Sequence, residues 1–388
     1  MRVSIRSAAL VCGVSMAFVS AAPVCSAAAA SDLVRSARPS PSCSGDLRGP
    51  ELTGQAAPPP LPQGEYAFVV NSDNPQGTDS SLVILDRRTD TVVKTVSKGL
   101  GRLPNAIAVQ RSGATSYIAN FADASVSVVD TRTAAVTATV PVGEQPAQVA
   151  LSADGCRAYV VNTGDISTAG GVSVIDTATN RVTDTLTVGF NPLRIELAPD
   201  GRSAYAVTDN TLVRIDLRTG QTVGTVRNPN TGGLLVGLAL TPDGTRAYAV
   251  DSAAGRVLAV DTRTMTLTGG PIDLPGIGLA GNAAVSPDGR LLYVTESASN
   301  DVAVVDTATA TARPGTITVG RNPTNVAFTP DSGHAYVTSS LDDPKGLSVV
   351  NTATSKVEAR LNTGSGPFDV ALVTVGEGSG SRGEHPRP

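Results

Sequence analysis

Short runs of alternating apolar and polar residues recur along this chain, and the clearest is Val126-Ser127-Val128-Val129-Asp130-Thr131-Arg132-Thr133. The same phrase ends at Asp86, Asp130, Asp176, Asp216, Asp261, Asp306 and, with an amide for the acid, Asn351. A Thr follows three places later each time: Thr89, Thr133, Thr179, Thr219, Thr264, Thr309 and Thr354. An alternating run closed by Asp-x-x-Thr predicts a β-strand that stops in an Asx-turn, with the Asp side chain on the backbone N–H groups ahead of it and the Thr starting the returning strand.

The repeat distance of about 45 residues is the period of propeller blades, and each unit carries four strand-like runs. In the unit from Pro146 these are Gln148–Ser152, Arg157–Asn162, Gly171–Asp176 and Arg181–Val188, the first closed by Ala153-Asp154-Gly155. That turn recurs as Pro199-Asp200-Gly201, Pro242-Asp243-Gly244 and Pro287-Asp288-Gly289. Pro there fixes φ, Asp bonds locally and Gly accepts positive φ, as a hairpin requires. Tyr recurs in the second run at 117, 159, 205, 248, 293 and 336, with Phe68 in the first unit. One aromatic per unit at a fixed place reads as packing between adjacent sheets. The first unit begins at its second run, and the last leaves a surplus first-type run, Pro367–Val373. Pairing the two closes a ring without exposed edges. The expected fold is all-β: a seven-bladed β-propeller of four-stranded antiparallel blades over 65–375, closed by 367–375. Residues 29–64, rich in Ala, Ser and Pro, read as a disordered leader, and 376–388 as a disordered tail.

Composition adds export and narrows the chemistry. Residues 1–28 read as a signal peptide: Arg2 and Arg6, the apolar segment Ala8–Val19, then Ser26-Ala27-Ala28. That apolar segment is too short to span a bilayer, and no later run is long enough, so a soluble secreted monomer without a transmembrane anchor is expected. Cleavage would remove two Arg and no acid, taking the net charge from −4 to −6. A mildly acidic chain with 3% aromatic residues and no Trp lacks the basic grooves and stacking platforms that nucleic acid needs. Cys12 and Cys25 would be lost with the signal, leaving Cys43 and Cys156 as candidates to pair in an oxidising compartment. About 22 residues lie between Cys43 and the first strand, a reach of roughly 70 Å.

The chain resembles the YVTN-type seven-bladed propeller repeat family (YncE-like proteins) through Tyr159-Val160-Val161-Asn162, Val172-Ser173-Val174-Ile175-Asp176 and Ser286-Pro287-Asp288-Gly289. The resemblance covers about residues 65–375. Gln110-Arg111-Ser112-Gly113 replaces one turn, and Leu235 and Ala280 replace the Pro before the inner strand. Related propellers include binding proteins, surface-layer proteins, lactonases and lyases, so the resemblance implies a fold and leaves the function open.

Candidate chemistry lies on the face where connections vary in length, since loops on a rigid scaffold are the usual place for it. Two places after the Pro of each inner strand, or its equivalent, stand Ala106, Gln148, Arg194, Gly237, Asn282, Asn325 and Asp369. Two places deeper every repeat has Ala (108, 150, 239, 284, 327 and 371) except at Glu196. Two accounts stay open: a wet channel mouth in which Arg194 and Glu196 neutralise each other, or an Arg that engages a carboxylate or phosphate beside Glu196 and Asp369 as acid–base groups. Phe121, Phe190 and Phe368 fit no repeat position and offer apolar walls for a pocket, or an aromatic plug. The ligand-binding set is therefore Gln148, Phe190, Arg194, Glu196, Asn282, Asn325, Phe368 and Asp369, with Arg194, Glu196 and Asp369 catalytic if the protein is an enzyme.

No cofactor is called for, although a divalent cation among Asn282, Asn325 and Asp369 is compatible with the pattern. Asp73, Asn74 and Asp79 offer oxygen ligands for Ca²⁺, and a solvated acidic loop accounts for them as well. With only His334 and His385, a zinc site or a His-based triad is not expected. Two functions follow: a binding or scaffold protein for a small molecule, peptide or cell-envelope partner, or a propeller enzyme of lactonase or lyase type.

Overall fold

The structure, a computed structural model, describes residues 61–72, 80–165, 170–276, 279–342 and 344–375. The second and third strands of each repeat are mostly apolar and buried along their middle residues on both faces, as in Ala158–Asn162 and Gly171–Ile175, which requires each sheet to be covered on both sides. Fourth strands such as Ala135–Pro141 alternate exposed and half-buried residues, as an outer edge should. These two patterns fold into seven antiparallel sheets arranged as the blades of a β-propeller. Blade 1 holds Gly64–Asn71, Ser81–Asp86 and Thr91–Val96, with Pro367–Val375 as its inner strand. Blades 2 to 7 begin at inner strands Pro104–Val109, Pro146–Leu151, Pro192–Leu197, Leu235–Leu240, Ala280–Val285 and Pro323–Phe328. The fourth strand of blade 5 is broken into Thr266–Leu267 and Ile272–Asp273.

The core is seven separate clusters, each filling the gap between two consecutive blades and each containing one of the repeated aromatics. Across the first ladder that aromatic sits directly opposite the inner-strand Ala: Ala108↔Tyr117, Ala150↔Tyr159, Ala239↔Tyr248, Ala284↔Tyr293, Ala327↔Tyr336 and Ala371↔Phe68. A small residue opposite a large one lets neighbouring sheets approach closely. In blade 4 Glu196 takes the Ala position opposite Tyr205. The phenol of Tyr248 reaches the carbonyl of Thr307 in the next blade at 3.4 Å, and Tyr205 reaches that of Thr262 at 3.3 Å.

On the face of constant turns, the Asp carboxylate accepts the expected backbone N–H groups, for example Asp261 from Arg263 at 3.0 Å and Thr264 at 2.8 Å. The Thr does not start the returning strand. It is the third turn residue, and the strand begins two places later, after a residue at positive φ such as Ala134 (55°) or Met265 (52°). The left-handed residue supplies the reversal that Thr, a β-branched residue, resists. His334 lies at this face, its Nε2 3.0 Å from Glu358 Oε2.

Ring closure is antiparallel pairing of 64–71 with 367–375. Leu61 is buried in the cluster between blades 1 and 2, and the Tyr66 hydroxyl donates to the Pro62 carbonyl at 2.8 Å, so packed chain begins slightly before residue 65. No hairpin links the two closing strands. Arg87 fills the joint between blades 7 and 1, its guanidinium 5.4 Å from the centre of the Tyr336 ring and 3.3 Å from Glu65 Oε2. Nε and Nη1 find no hydrogen-bond acceptor among the described residues, so the residue stabilises mainly through its place over the Tyr336 ring and its aliphatic stem. Arg87→Ala is expected to cost about 1–2 kcal/mol, read as a lower Tm, while Arg88→Ala on the exposed neighbouring ion pair should leave Tm unchanged.

Candidate functional site

Each inner strand enters the central channel through a register shift, a β-bulge between the Pro position and the residue two places on, as at Pro192/Arg194 and Pro323/Asn325. A bulge re-aims one side chain, and past it the inner edge of the strand, the last of its sheet, turns backbone N–H groups to the channel. The mouth residues serve those N–H groups. Gln148 Oε1 accepts Ile195 N–H at 2.6 Å, Asn282 Oδ1 accepts Ala283 N–H at 2.9 Å, and Asn325 Oδ1 accepts Val326 N–H at 2.6 Å. Asp369 Oδ2 accepts Ile107 N–H at 2.8 Å and its Oδ1 accepts Val370 N–H at 2.7 Å. The side chains also join one another: Asn282 Nδ2 donates to Asn325 Oδ1 at 2.7 Å, and Asn325 Nδ2 donates to Asp369 Oδ1.

These residues enclose a cavity of about 270 Å³ at the channel mouth, lined also by Arg194, Glu196, Thr324 and Phe368. Arg194 Nη1 donates to the carbonyls of Ala147 and Leu193, both at 3.3 Å. The two carboxylates differ in kind. Asp369 is 8% exposed and tied by three donors. Burial raises its pKa to about 6, against the Ile107 N–H, the Arg194 charge and the Val370 N–H, which lower it. Glu196 is half-buried in the channel. Its pKa rises to about 7, through burial first, with the Arg194 charge acting against the rise. Arg194 thus acts on both carboxylates, while Asp369 spends its lone pairs on the scaffold.

Of the ligand-binding set expected from the sequence, Gln148, Arg194, Glu196, Asn282, Asn325, Phe368 and Asp369 line one cavity. Phe190 does not: it is 67% exposed on the connection into blade 4. Phe121 is half-buried in the short 3-10 helix Phe121–Asp123 and also lies off the cavity. Asp73, Asn74, Asp79, His385 and Cys43 fall outside the described residues. Cys156 is disulfide-bonded. Asn105 and Thr324 escaped the sequence reading although they line the cavity. Both sit one place after the conserved Pro, at the bulge, a position that alternation alone assigns away from the channel.

No family model matches the chain, and no curated protein does either, so the YVTN-type repeats remain a resemblance. Among solved structures, the chain is similar to a putative 6-phosphogluconolactonase from Bacteroides uniformis, at TM-score 0.65 and 18% identity over 80% of this chain and 100% of that one. The periplasmic gluconolactonase of Pseudomonas aeruginosa aligns at TM-score 0.64 and 18% identity, over 80% and 100%. Hydrazine synthase of Kuenenia stuttgartiensis aligns at TM-score 0.64 and 21% identity, over 78% and 99%. At such identities the likeness is one of fold: a seven-bladed propeller whose structural neighbours include lactonase-like propellers.

Proposed function

We propose that the channel mouth binds a small polar molecule carrying a carboxylate or a comparable cluster of acceptor oxygens. The observation that carries this reading is the commitment of the amide oxygens. With Oε1 of Gln148 and Oδ1 of Asn282 and Asn325 accepting backbone N–H groups, and one N–H of each Asn spent on its neighbour, what the amides turn towards a ligand is chiefly the remaining N–H groups, beside the Arg194 guanidinium. A donor-rich rim suits an oxygen-rich anion. A volume of about 270 Å³ lies near the lower end of small-molecule sites, which suits a ligand of monosaccharide size rather than a peptide. In this reading residues 1–28 direct export, and the disulfide at Cys156, with Cys43 as its proposed partner, fits an oxidising compartment.

A second reading, hydrolysis of a lactone, is favoured by Glu196. A carboxyl titrating near 7 is suited to take a proton from an attacking water and return it to the leaving alkoxide, and two structural neighbours are a putative 6-phosphogluconolactonase and a periplasmic gluconolactonase. Calorimetric titration with an aldonate at pH 6 and pH 8, beside pH-stat assay of its lactone, tests both. Below pH 7 Glu196 is mostly protonated and no longer repels an anion, so the aldonate should bind several-fold more tightly at pH 6. Glu196→Gln should flatten that dependence, and Arg194→Ala should weaken binding at both pH values. Absence of binding by aldonates and small dicarboxylates at either pH would reject the reading. Turnover lost in Glu196→Gln would establish the second.

A further inference from the structure

The last residue of each second strand comes to the variable face, in order Asn71, Asn120, Asn162, Thr208, Asp251, Glu296 and Ser339, and all are buried. In blades 1 and 2 the facing residue on the third strand is a serine, and the amide donates to it: Asn71 Nδ2 to Ser81 Oγ at 3.0 Å, Asn120 Nδ2 to Ser125 Oγ at 3.0 Å. In blade 5 the acid Asp251 faces Arg256, and its Oδ2 accepts Asn228 at 2.8 Å and Asn230 at 2.9 Å. A donor faces an acceptor in each, and although the amide oxygens of Asn71 and Asn120 are themselves buried without a partner among the described residues, no two like charges meet.

Blade 6 breaks this rule. Glu296, 0% exposed, stands directly opposite Asp301, so two carboxylates share one side of the ladder with Cβ atoms about 5 Å apart, an arrangement that destabilises a sheet. Glu296 Oε2 accepts Ser299 Oγ at 3.4 Å and the carboxylate accepts the Gly276 N–H. Gly276 is required there, since a Cβ would lie 1.6 Å from Oε2. Glu296 Oε1 and Asp301 Oδ1 are both buried without a hydrogen-bond partner among the described residues. The one charge acting on Glu296 is that of Asp301, which adds to burial in raising its pKa. Two enclosed oxygens of like charge with no donor between them need a positive species.

We propose that Glu296 and Asp301 hold a hard divalent cation, Ca²⁺ by the chemistry of an all-oxygen donor set, at the variable face of blade 6. Two carboxylates completed by water and neutral oxygens place the affinity at about 10⁻⁴–10⁻³ M, the range of weak extracellular sites. The site is separate from the channel and does not depend on what binds there.

The test uses the full chain stripped of metal, with Ca²⁺ at about ten times the expected dissociation constant, followed by thermal melts at pH 7.5 and by luminescence of Tb³⁺ as a Ca²⁺ stand-in. The parent should melt several degrees higher with Ca²⁺ and should sensitise Tb³⁺ in a way that Ca²⁺ reverses. Glu296→Gln and Asp301→Asn should each abolish the Ca²⁺ shift while melting, without metal, no lower than the metal-free parent, because the repulsion is gone. If one variant does not fold, the other carries the comparison. A parent that shows neither a shift nor Tb³⁺ binding overturns the proposal and leaves a shared proton between the carboxylates. A shift that survives in both variants overturns it too, since the cation would then sit elsewhere.

Discussion

A chain ending at Gly366 is expected to be aggregated or protease-sensitive, whereas one ending at Val375 should melt like the parent. The reason is that 367–375 is a core strand of blade 1. It pairs along the whole of 64–71, and Val370 and Val373 are buried in the two clusters that flank the blade. Burial of Val370, Val373 and the half-buried Phe368 and Leu372 contributes about 1.5–3 kcal/mol for each well-buried side chain. The same truncation removes Asp369, and with it the acceptor for Ile107 N–H and for Asn325. Losses of this size match the whole ~5–15 kcal/mol that holds a domain folded, and they expose strand 64–71 as an unpaired edge. Limited proteolysis and thermal melts of the two truncations decide the matter. A 1–366 fragment with the melting temperature of the parent would show that the ring does not need its closing strand.

Glu196→Ala and Asp369→Ala should move stability in opposite directions, although both remove a carboxylate from the same cavity. Asp369→Ala leaves the buried Ile107 and Val370 N–H groups and the Asn325 amide without their acceptor. At about 1–3 kcal/mol for each of these three donors so stranded, offset in part by removal of a carboxylate whose burial is itself unfavourable, a net loss on the order of 3 kcal/mol is expected. Glu196→Ala restores the Ala that six other repeats carry opposite their aromatic. The folded pKa of Glu196, about 7, lies above its ordinary 4.5, so the folded state takes up the proton first as pH falls. The carboxylate therefore costs stability above pH 7, and the cost disappears as pH drops towards 4.5. Allowing for channel water, removing it should stabilise the ring by on the order of 2 kcal/mol at pH 8 and by little at pH 5. Asp369, raised to about 6 from 3.8, titrates with the same sign, so the parent itself should be more stable at pH 5 than at pH 8. Thermal melts of the three proteins across that range are the check. Destabilisation of Glu196→Ala at pH 8 would mean that the Glu196 charge is a structural partner of Arg194 and not a group held for a ligand.

The sequence by itself determined the number of blades, the order of strands within each, the strand that closes the ring and the one repeat that departs at Glu196. All of these rest on short-range chemistry: alternation of apolar residues, a turn residue at positive φ, an Asp that bonds two or three residues ahead. A period near 45 residues then multiplies a weak local signal until it is unmistakable. Tertiary structure alone decided what the mouth residues do. What the Asn325 amide has left for a ligand depends on the Val326 N–H at the inner strand edge and on Asp369, 44 residues away. Asp369 in turn caps Ile107 across a separation of 262. Phe368 enters the cavity and Phe190 turns to solvent for the same reason, since one sits on a strand inside the ring and the other on a connection above it. The pairing of Glu296 with Asp301 was legible only once register put them face to face. A one-residue change of register would separate them, and no local pattern of residues fixes which side chains from different strands must share a buried space.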